Sequence, residues 1–367
     1  MMRSKPPFRA DQVGSLLRSA PVKEARTRRL AREITSAQLK AVEDTEVRKL
    51  VAKQESIGLK GVTDGEFRRS WWHYDFLAKL QGVELISVAQ GLQFKGTETK
   101  AEGLHVHGKI DFAGDHPMLD HFGFLKSVAK QTPKMTIPSP TALHYRGGRQ
   151  AIEKSVYPEM EPFFEDLGRA YTKAVRAFGE AGCTYLQLDE VFVAMLCDAQ
   201  YREQVKARGD DPQKLAGIYA DLVNAAVADI PPDMTVTMHL CRGNYKSTHM
   251  GAGGYAAVQE TLFNRTNVHG YFMEFDSERA GSFEPLRLLP KGKTAVLGLV
   301  TTKTGQLEPK DAIKRRLDEA ARFADLDQLA LSPQCGFAST EEGNVLAEDE
   351  QWAKLAMIVE VAREVWG

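Results

Sequence analysis

Eight short β-type runs, most of them separated by helical stretches, constrain this 367-residue chain more than any other feature. They cover residues 8–13, 61–63, 135–137, 184–188, 235–238, 271–273, 294–300 and 328–331. Nearly every run ends in polar residues or glycine. The endings are Gly14-Ser15, Asp64-Gly65-Glu66, Pro138-Ser139-Pro140, Asp189-Glu190, His239-Leu240-Cys241, Glu274-Phe275-Asp276, Thr301-Thr302-Lys303 and Ser332-Pro333-Gln334-Cys335-Gly336. Helices are expected from a Thr35 or Ser36 cap to about 57, over 160–178, from Asp211-Pro212 to about 227, and over 312–323 and 344–363. Helical crossovers return the chain to the same end of a sheet, so the strands run parallel. The reading is an α/β fold, a (β/α)8 TIM barrel forming one domain over residues 1–367. A doubly wound sheet is the competitor, but it gathers its ligand at one switch point, whereas here polar residues mark almost every strand end.

Residues 83–112 break the rhythm. Alternating apolar residues and glycines predict a β-hairpin-like, β-rich insertion after the second strand. It is suited to covering the barrel mouth or to making a homodimer contact, and its sequence does not choose between them.

Composition excludes several classes. Hydrophobic content is 43% and charged content 26%, the balance of a folded globular chain rather than a disordered one. Lys plus Arg (48) nearly cancels Asp plus Glu (49), so bulk charge makes no case for nucleic acid or an anionic membrane as partner. No run reaches the roughly 18–20 apolar residues that span a bilayer, and residues 1–7 lack the apolar core of a signal peptide. A cytoplasmic location is expected. Four cysteines are too few for a disulfide scaffold in a chain this long. Cys183 and Cys197 read as small buried groups, whereas Cys241 and Cys335 have polar, glycine-containing surroundings.

His239, Cys241, Glu274 and Cys335 form a candidate metal shell. His239 and Cys241 are two apart on an extended segment, which puts both side chains on one side. Glu274 follows at the next strand end and Cys335 at the last. Zinc accepts imidazole, thiolate and carboxylate ligands in a tetrahedral shell. Two thiolates and a carboxylate make the centre anionic, a weak Lewis acid better suited to keeping a thiol nucleophilic than to polarising a carbonyl. The His-x-Cys pair alone also fits a packed histidine beside a buried thiol; the set of four is harder to explain as packing. Asp276 and His249 are alternative ligands.

The other strand ends supply substrate contacts. Asp189 is placed to bind an amine or steer a proton, and Glu66 is a second carboxylate for an ammonium group. Gly14-Ser15 offers a backbone N–H and a hydroxyl to a carboxylate. Arg18, Arg68 and Arg69 are basic candidates. Trp71, Trp72 and His73, with Tyr74, form an aromatic cluster suited to walling a pocket or, alternatively, to outer packing.

These residues carry a resemblance. The chain resembles the C-terminal catalytic barrel of cobalamin-independent methionine synthase, particularly its short stand-alone relatives, over nearly its whole length. His239-Leu240-Cys241, Glu274 and Cys335-Gly336 match the family's zinc ligands in order. Asp189 and Glu66 match its contacts to homocysteine, and Ser15 its contact to the amino-acid carboxylate. The resemblance implies methyl transfer to the thiol of homocysteine from a 5-methyltetrahydrofolate-type donor. Two departures stand out. The large N-terminal half of the full-length enzyme has no counterpart. The family's histidine near the seventh strand end, implicated in proton handling, is also missing; Leu299-Val300-Thr301-Thr302-Lys303 stands there, leaving Thr301 and Lys303 as catalytic candidates. A different alkyl donor with a small thiol, such as an epoxide, and a non-catalytic zinc-stabilised binding barrel are the competing readings.

Overall fold

A strand covered on both faces has no polar alternation, and the run Thr294–Val300 is buried at every residue. The computed structural model describes residues 1–367. Its main sheet has seven strands, all parallel and in chain order: β1 (Gly61–Val62), β6 (Thr132–Pro138), β7 (Tyr185–Glu190), β8 (Thr235–Leu240), β9 (Gly270–Glu274), β10 (Thr294–Val300) and β11 (Leu329–Pro333). Between β1 and β6 the chain makes four further strands. β2 (Gln81–Ser87) pairs antiparallel with β5 (Glu102–Asp111), and β3 (Gln93–Phe94) with β4 (Thr97–Glu98). This ribbon stands apart from the main sheet.

The two edges of the parallel sheet approach one segment. Ala10 bridges in parallel to Leu331 within β11, and the Leu16 N–H donates to the Gly65 carbonyl (3.0 Å) just past β1. The sheet is therefore curled, a TIM-barrel-like α/β fold. The run 8–13 does not form the regular strand its sequence predicts. Asp11 takes two backbone donors onto its own carboxylate, from Phe8 (3.0 Å) and Gln12 (2.8 Å), and those donors are lost to any ladder.

Apolar burial is split by the sheet. Phe8, Val13, Tyr185, Phe272, Val296 and Ala330 pack as one small cluster, while 92 residues form the main one. Beside the small cluster, buried Lys134 pairs with Asp11 (3.3 Å), which also accepts from the Tyr185 hydroxyl (2.8 Å). Each polar group in that trio is partnered, as burial demands.

Helix ends follow their local chemistry. Thr35 and Gln38 make a reciprocal capping box at the start of Ser36–Ser56, and Asp211 caps Pro212–Ala226. The helices Glu161–Glu180, Lys310–Ala320 and Glu348–Trp366 lie within a few residues of their predicted bounds, except that the last begins four residues late. No helix is long and apolar enough to cross a membrane.

Candidate metal centre and substrate cavity

Parallel register sets the first contact of the site: Asp189 on β7 lies opposite His239 on β8. Cys241 follows two residues after His239, and Cys335 lies two beyond β11. The ligand atoms of His239, Cys241 and Cys335 all lie within 4.8 Å of one another, and all three residues are buried. The two sulfurs are 3.4 Å apart and both thiols are free. A tetrahedral shell with Zn–S bonds of about 2.3 Å sets its sulfurs about 3.8 Å apart, close to that spacing and far beyond a disulfide bond. Neither ring nitrogen of His239 has a hydrogen-bond partner. Buried imidazole nitrogens are rarely left bare. Two soft sulfurs and an open imidazole fit zinc.

Glu274 stands outside this trio. It is fully buried, and its two oxygens accept from the Arg242 N–H (2.7 Å) and the Arg279 guanidinium (3.0 Å). Burial raises its pKa, but Lys303, Arg279 and Arg242 outweigh that and hold it below the ordinary carboxylate range. The structure thus gathers three of the four expected ligands and gives the fourth protein partners. Of the alternatives, Asp276 accepts from Arg279 (3.3 Å), and neither it nor His249 joins the trio.

The same trio forms one end of a cavity that Ser15, Glu66, Trp71, Trp72 and Asp189 also line. Glu66 is buried in the left-handed backbone region (φ 59°), held there as its N–H donates to Asp64 (2.9 Å). Its Oε1 accepts from the Thr136 hydroxyl (2.8 Å), while Oε2 is buried without a partner. Burial raises its pKa. Asp189 accepts from Gln187 (2.7 Å), and burial, aided by the charge of Glu66, pushes its pKa up to about 7. Ser15 sits against Gly336, where a Cβ would come within 1.9 Å of the Ser15 hydroxyl and displace it; glycine keeps that hydroxyl in place. Gly14 is equally forced, with φ 145° and a would-be Cβ 2.6 Å from Thr136.

Several expected site residues lie elsewhere. His73 is fully buried and does not line the cavity; it packs among Trp71, Trp72 and Tyr74, and burial keeps it neutral. Thr301 and Lys303 also miss the cavity, because both side chains turn to Asp276, at 3.1 and 3.3 Å. Arg18 spends its guanidinium on the carbonyls of Leu16, Gly65, Ala338 and Arg69. Arg68 pairs with Glu43 and Asp44. Arg69 lies 3.4 Å from Glu66 and donates to the Thr136 carbonyl.

Other lining residues were not singled out from sequence: Phe94 on β3, Arg146, Asn244 and Tyr245. Tyr245 stacks on Trp71 (6.3 Å between centroids) and meets Phe94 (5.3 Å), so the ribbon reaches the cavity through an aromatic contact. A lone aromatic near the tip of a glycine-flanked hairpin was the available signal for Phe94. For Arg146 it was a basic residue just past a strand end.

The chain matches the family model described as cobalamin-independent synthase, catalytic domain, over residues 8–364. It is 53% identical over 364 residues to the uncharacterized protein YxjH of Bacillus subtilis, covering 99% of this chain and 96% of that one. It is 22% identical to the 5-methyltetrahydropteroyltriglutamate–homocysteine methyltransferase of Bacillus velezensis, over 96% of this chain but 42% of that enzyme. Among solved structures, a Listeria monocytogenes protein assigned to vitamin-B12 independent methionine synthases superposes with a TM-score of 0.80, at 40% identity and over 100% of both chains. A B12-independent methionine synthase from Shewanella sp. W3-18-1, at 18% identity over 96% of both chains, shares the fold (TM-score 0.71). With its model matched over nearly the full length, this chain belongs to the cobalamin-independent synthase family, in its catalytic domain.

Proposed function

We propose that this protein is a zinc-dependent methyltransferase that moves a methyl group to the thiol of homocysteine, giving methionine. Its donor is of the 5-methyltetrahydrofolate type. His239, Cys241 and Cys335 would hold the zinc, with Glu274 the further carboxylate. The observation that carries the reading is one cavity shared by two buried sulfurs and two acids, one of which, Glu66, has a buried oxygen without a partner. When bound there, zinc supplies a centre that keeps a thiol deprotonated and nucleophilic.

The chain's own residues account for the rest. Glu66 and Asp189 receive the ammonium of the amino thiol, and its positive charge relieves the burial that raises both carboxyl pKa values. Ser15, whose hydroxyl lies close over Gly336, meets the acceptor's carboxylate. Trp71 and Trp72 wall the cavity and exclude water. Held collinear with the donor, the sulfur bonds to the methyl carbon as the nitrogen–methyl bond breaks, and that nitrogen takes up a proton. We read the segment from residue 8 to 16 as the eighth stave of a (β/α)8 barrel, with the β2–β5 ribbon as an insertion at its mouth.

A second reading keeps the thiol acceptor and changes the donor. It is favoured by Thr301 and Lys303, which stand where the family carries a histidine and are tied to Asp276. A donor screen separates the two. Zinc-loaded protein with homocysteine and methylated folates should form methionine; no methionine from any folate, with product from another methyl or alkyl donor, selects the second reading. No product from any donor refutes both.

A further inference from the structure

Arg146 occupies the last turn of the helix Thr141–Gly147, directly after β6. Its neighbours are anchored: His144 shares a hydrogen bond with the Tyr219 hydroxyl (2.9 Å), and the Tyr145 carbonyl accepts from Arg208 (2.7 Å). The guanidinium lies 5.4 Å from the centre of the Phe192 ring and lines the same cavity as His239 and Cys241. Its Nε is enclosed with no acceptor, and the side chain makes no hydrogen bond or ion pair to the protein.

The other arginines around the cavity differ. Arg18 donates to four carbonyls, Arg69 faces Glu66, Arg242 donates to Gly253 and the Tyr255 hydroxyl, and Arg279 bridges Glu274 and Asp276. Only Arg146 of this group is left bare. Burial opposes its charge, and what offsets that is Tyr74, Tyr145, Tyr201 and Cys241, with no carboxylate among them. The residue is half-buried, and a guanidinium with no protein acceptor keeps its donors free for an anion that enters the cavity.

We propose that Arg146 is a carboxylate-binding residue of this cavity, seating a carboxylate that a substrate carries in. The proposal rests on reading the cavity as the site of an amino thiol and its methyl donor. The anion is a carboxylate rather than a phosphate because of the charge balance. Arg146 is the only Lys or Arg on the wall, against the two acids Glu66 and Asp189. That set suits a singly charged carboxylate group beside an ammonium, and it disfavours the doubly charged phosphate group. The planar fork of arginine matches the two oxygens of a carboxylate.

Two substrates offer such a group, the acceptor amino acid and a folate-type donor with its glutamate tail. Calorimetric titration of zinc-loaded protein distinguishes them, using homocysteine, 3-aminopropane-1-thiol (homocysteine without its carboxylate) and a 5-methyltetrahydrofolate monoglutamate. Arg146→Met should weaken one carboxylate ligand by about tenfold or more, in the range of a lost charge-assisted pair. If the acceptor is the source, homocysteine weakens and 3-aminopropane-1-thiol does not. If the donor is the source, the methylfolate alone weakens. Arg146→Lys should recover part of the loss, a rescue that a packing role would not give. If Arg146→Met does not fold, Arg146→Lys is compared directly with the parent, and a selective loss for a carboxylate ligand supports the assignment. The proposal is overturned if folded Arg146 variants bind both carboxylate ligands within about twofold of the parent, or if the parent binds neither. A parent that binds homocysteine through Arg146 yet forms no methionine defeats the functional reading alone.

Discussion

Two charged regions lie at or just past the C-terminal ends of the parallel strands and treat their charges in opposite ways. Behind the metal trio, Glu274, Asp276, Arg279 and Lys303 form a closed set in which each carboxylate has at least two donors or cations. Across the cavity, Glu66 keeps a bare buried oxygen, His239 two bare nitrogens and Arg146 a bare Nε. Saturated groups hold the backbone in place, and bare ones are tolerated where a ligand will complete them. Both regions are built from the same acids and bases, and what differs is how many of their polar atoms the protein itself satisfies.

The largest effect expected from breaking this contrast is at the sulfur pair. Cys335→Ser leaves Cys241 without its sulfur neighbour, and bound zinc and methyl transfer should both fall by more than about 100-fold, beyond what even outer partners of a metal ligand command. Metal content after dialysis checks it against a folded, circular-dichroism-matched control. The next effect is on stability. The folded pKa of Asp189, about 7, lies above the usual carboxyl value, so its contribution is most favourable at low pH and is lost as pH rises through 7. In metal-free protein, Asp189→Asn should therefore gain stability relative to the parent, by on the order of 2 kcal/mol more at pH 8 than at pH 5. Denaturant unfolding at the two pH values measures this, and a pH-independent difference would mean the wall is not bare there. The smallest effect belongs to the saturated side. Lys303→Met leaves Asp276 with Arg279 and the Thr301 hydroxyl, so stability should drop by about 1 kcal/mol or less. Turnover should stay within a few-fold of the parent. A collapse in turnover with stability intact would return Lys303 to the proton-handling role its sequence position suggested.

Strand ends were legible in sequence because the chemistry there is unusual as a set: a His-x-Cys pair, an acid after an apolar run and a Cys-Gly step are together hard to explain as packing. The parallel sheet was legible for a related reason, since apolar runs such as Thr294–Val300 have no polar face to alternate with. Pairing was less so. The run 8–13 has strand composition, yet Asp11 diverts its backbone donors, a choice made by one side chain's rotamer. Arg146 and Arg18 show the same limit within the site. Both are arginines just past strand-like segments, and only the fold reveals that one is surrounded by carbonyls and the other by none. His73 shows the converse: a polar ring in an aromatic run suits either a pocket wall or packing, and in the fold its neighbours enclose it.

The close fit of Ser15 against Gly336 also has a bearing on biogenesis. Arg18 donates to the Ala338 carbonyl (2.7 Å) across 320 positions of sequence, and the Phe337 N–H donates to the Ser15 carbonyl (2.8 Å). A ribosome that has released most of the barrel has not yet made the second half of this joint. This wall of the cavity is thus incomplete until both segments exist, and contacts of such long range form slowly. The docking of Phe337 on Ser15 during refolding would serve as a clock for the final closure of the sheet.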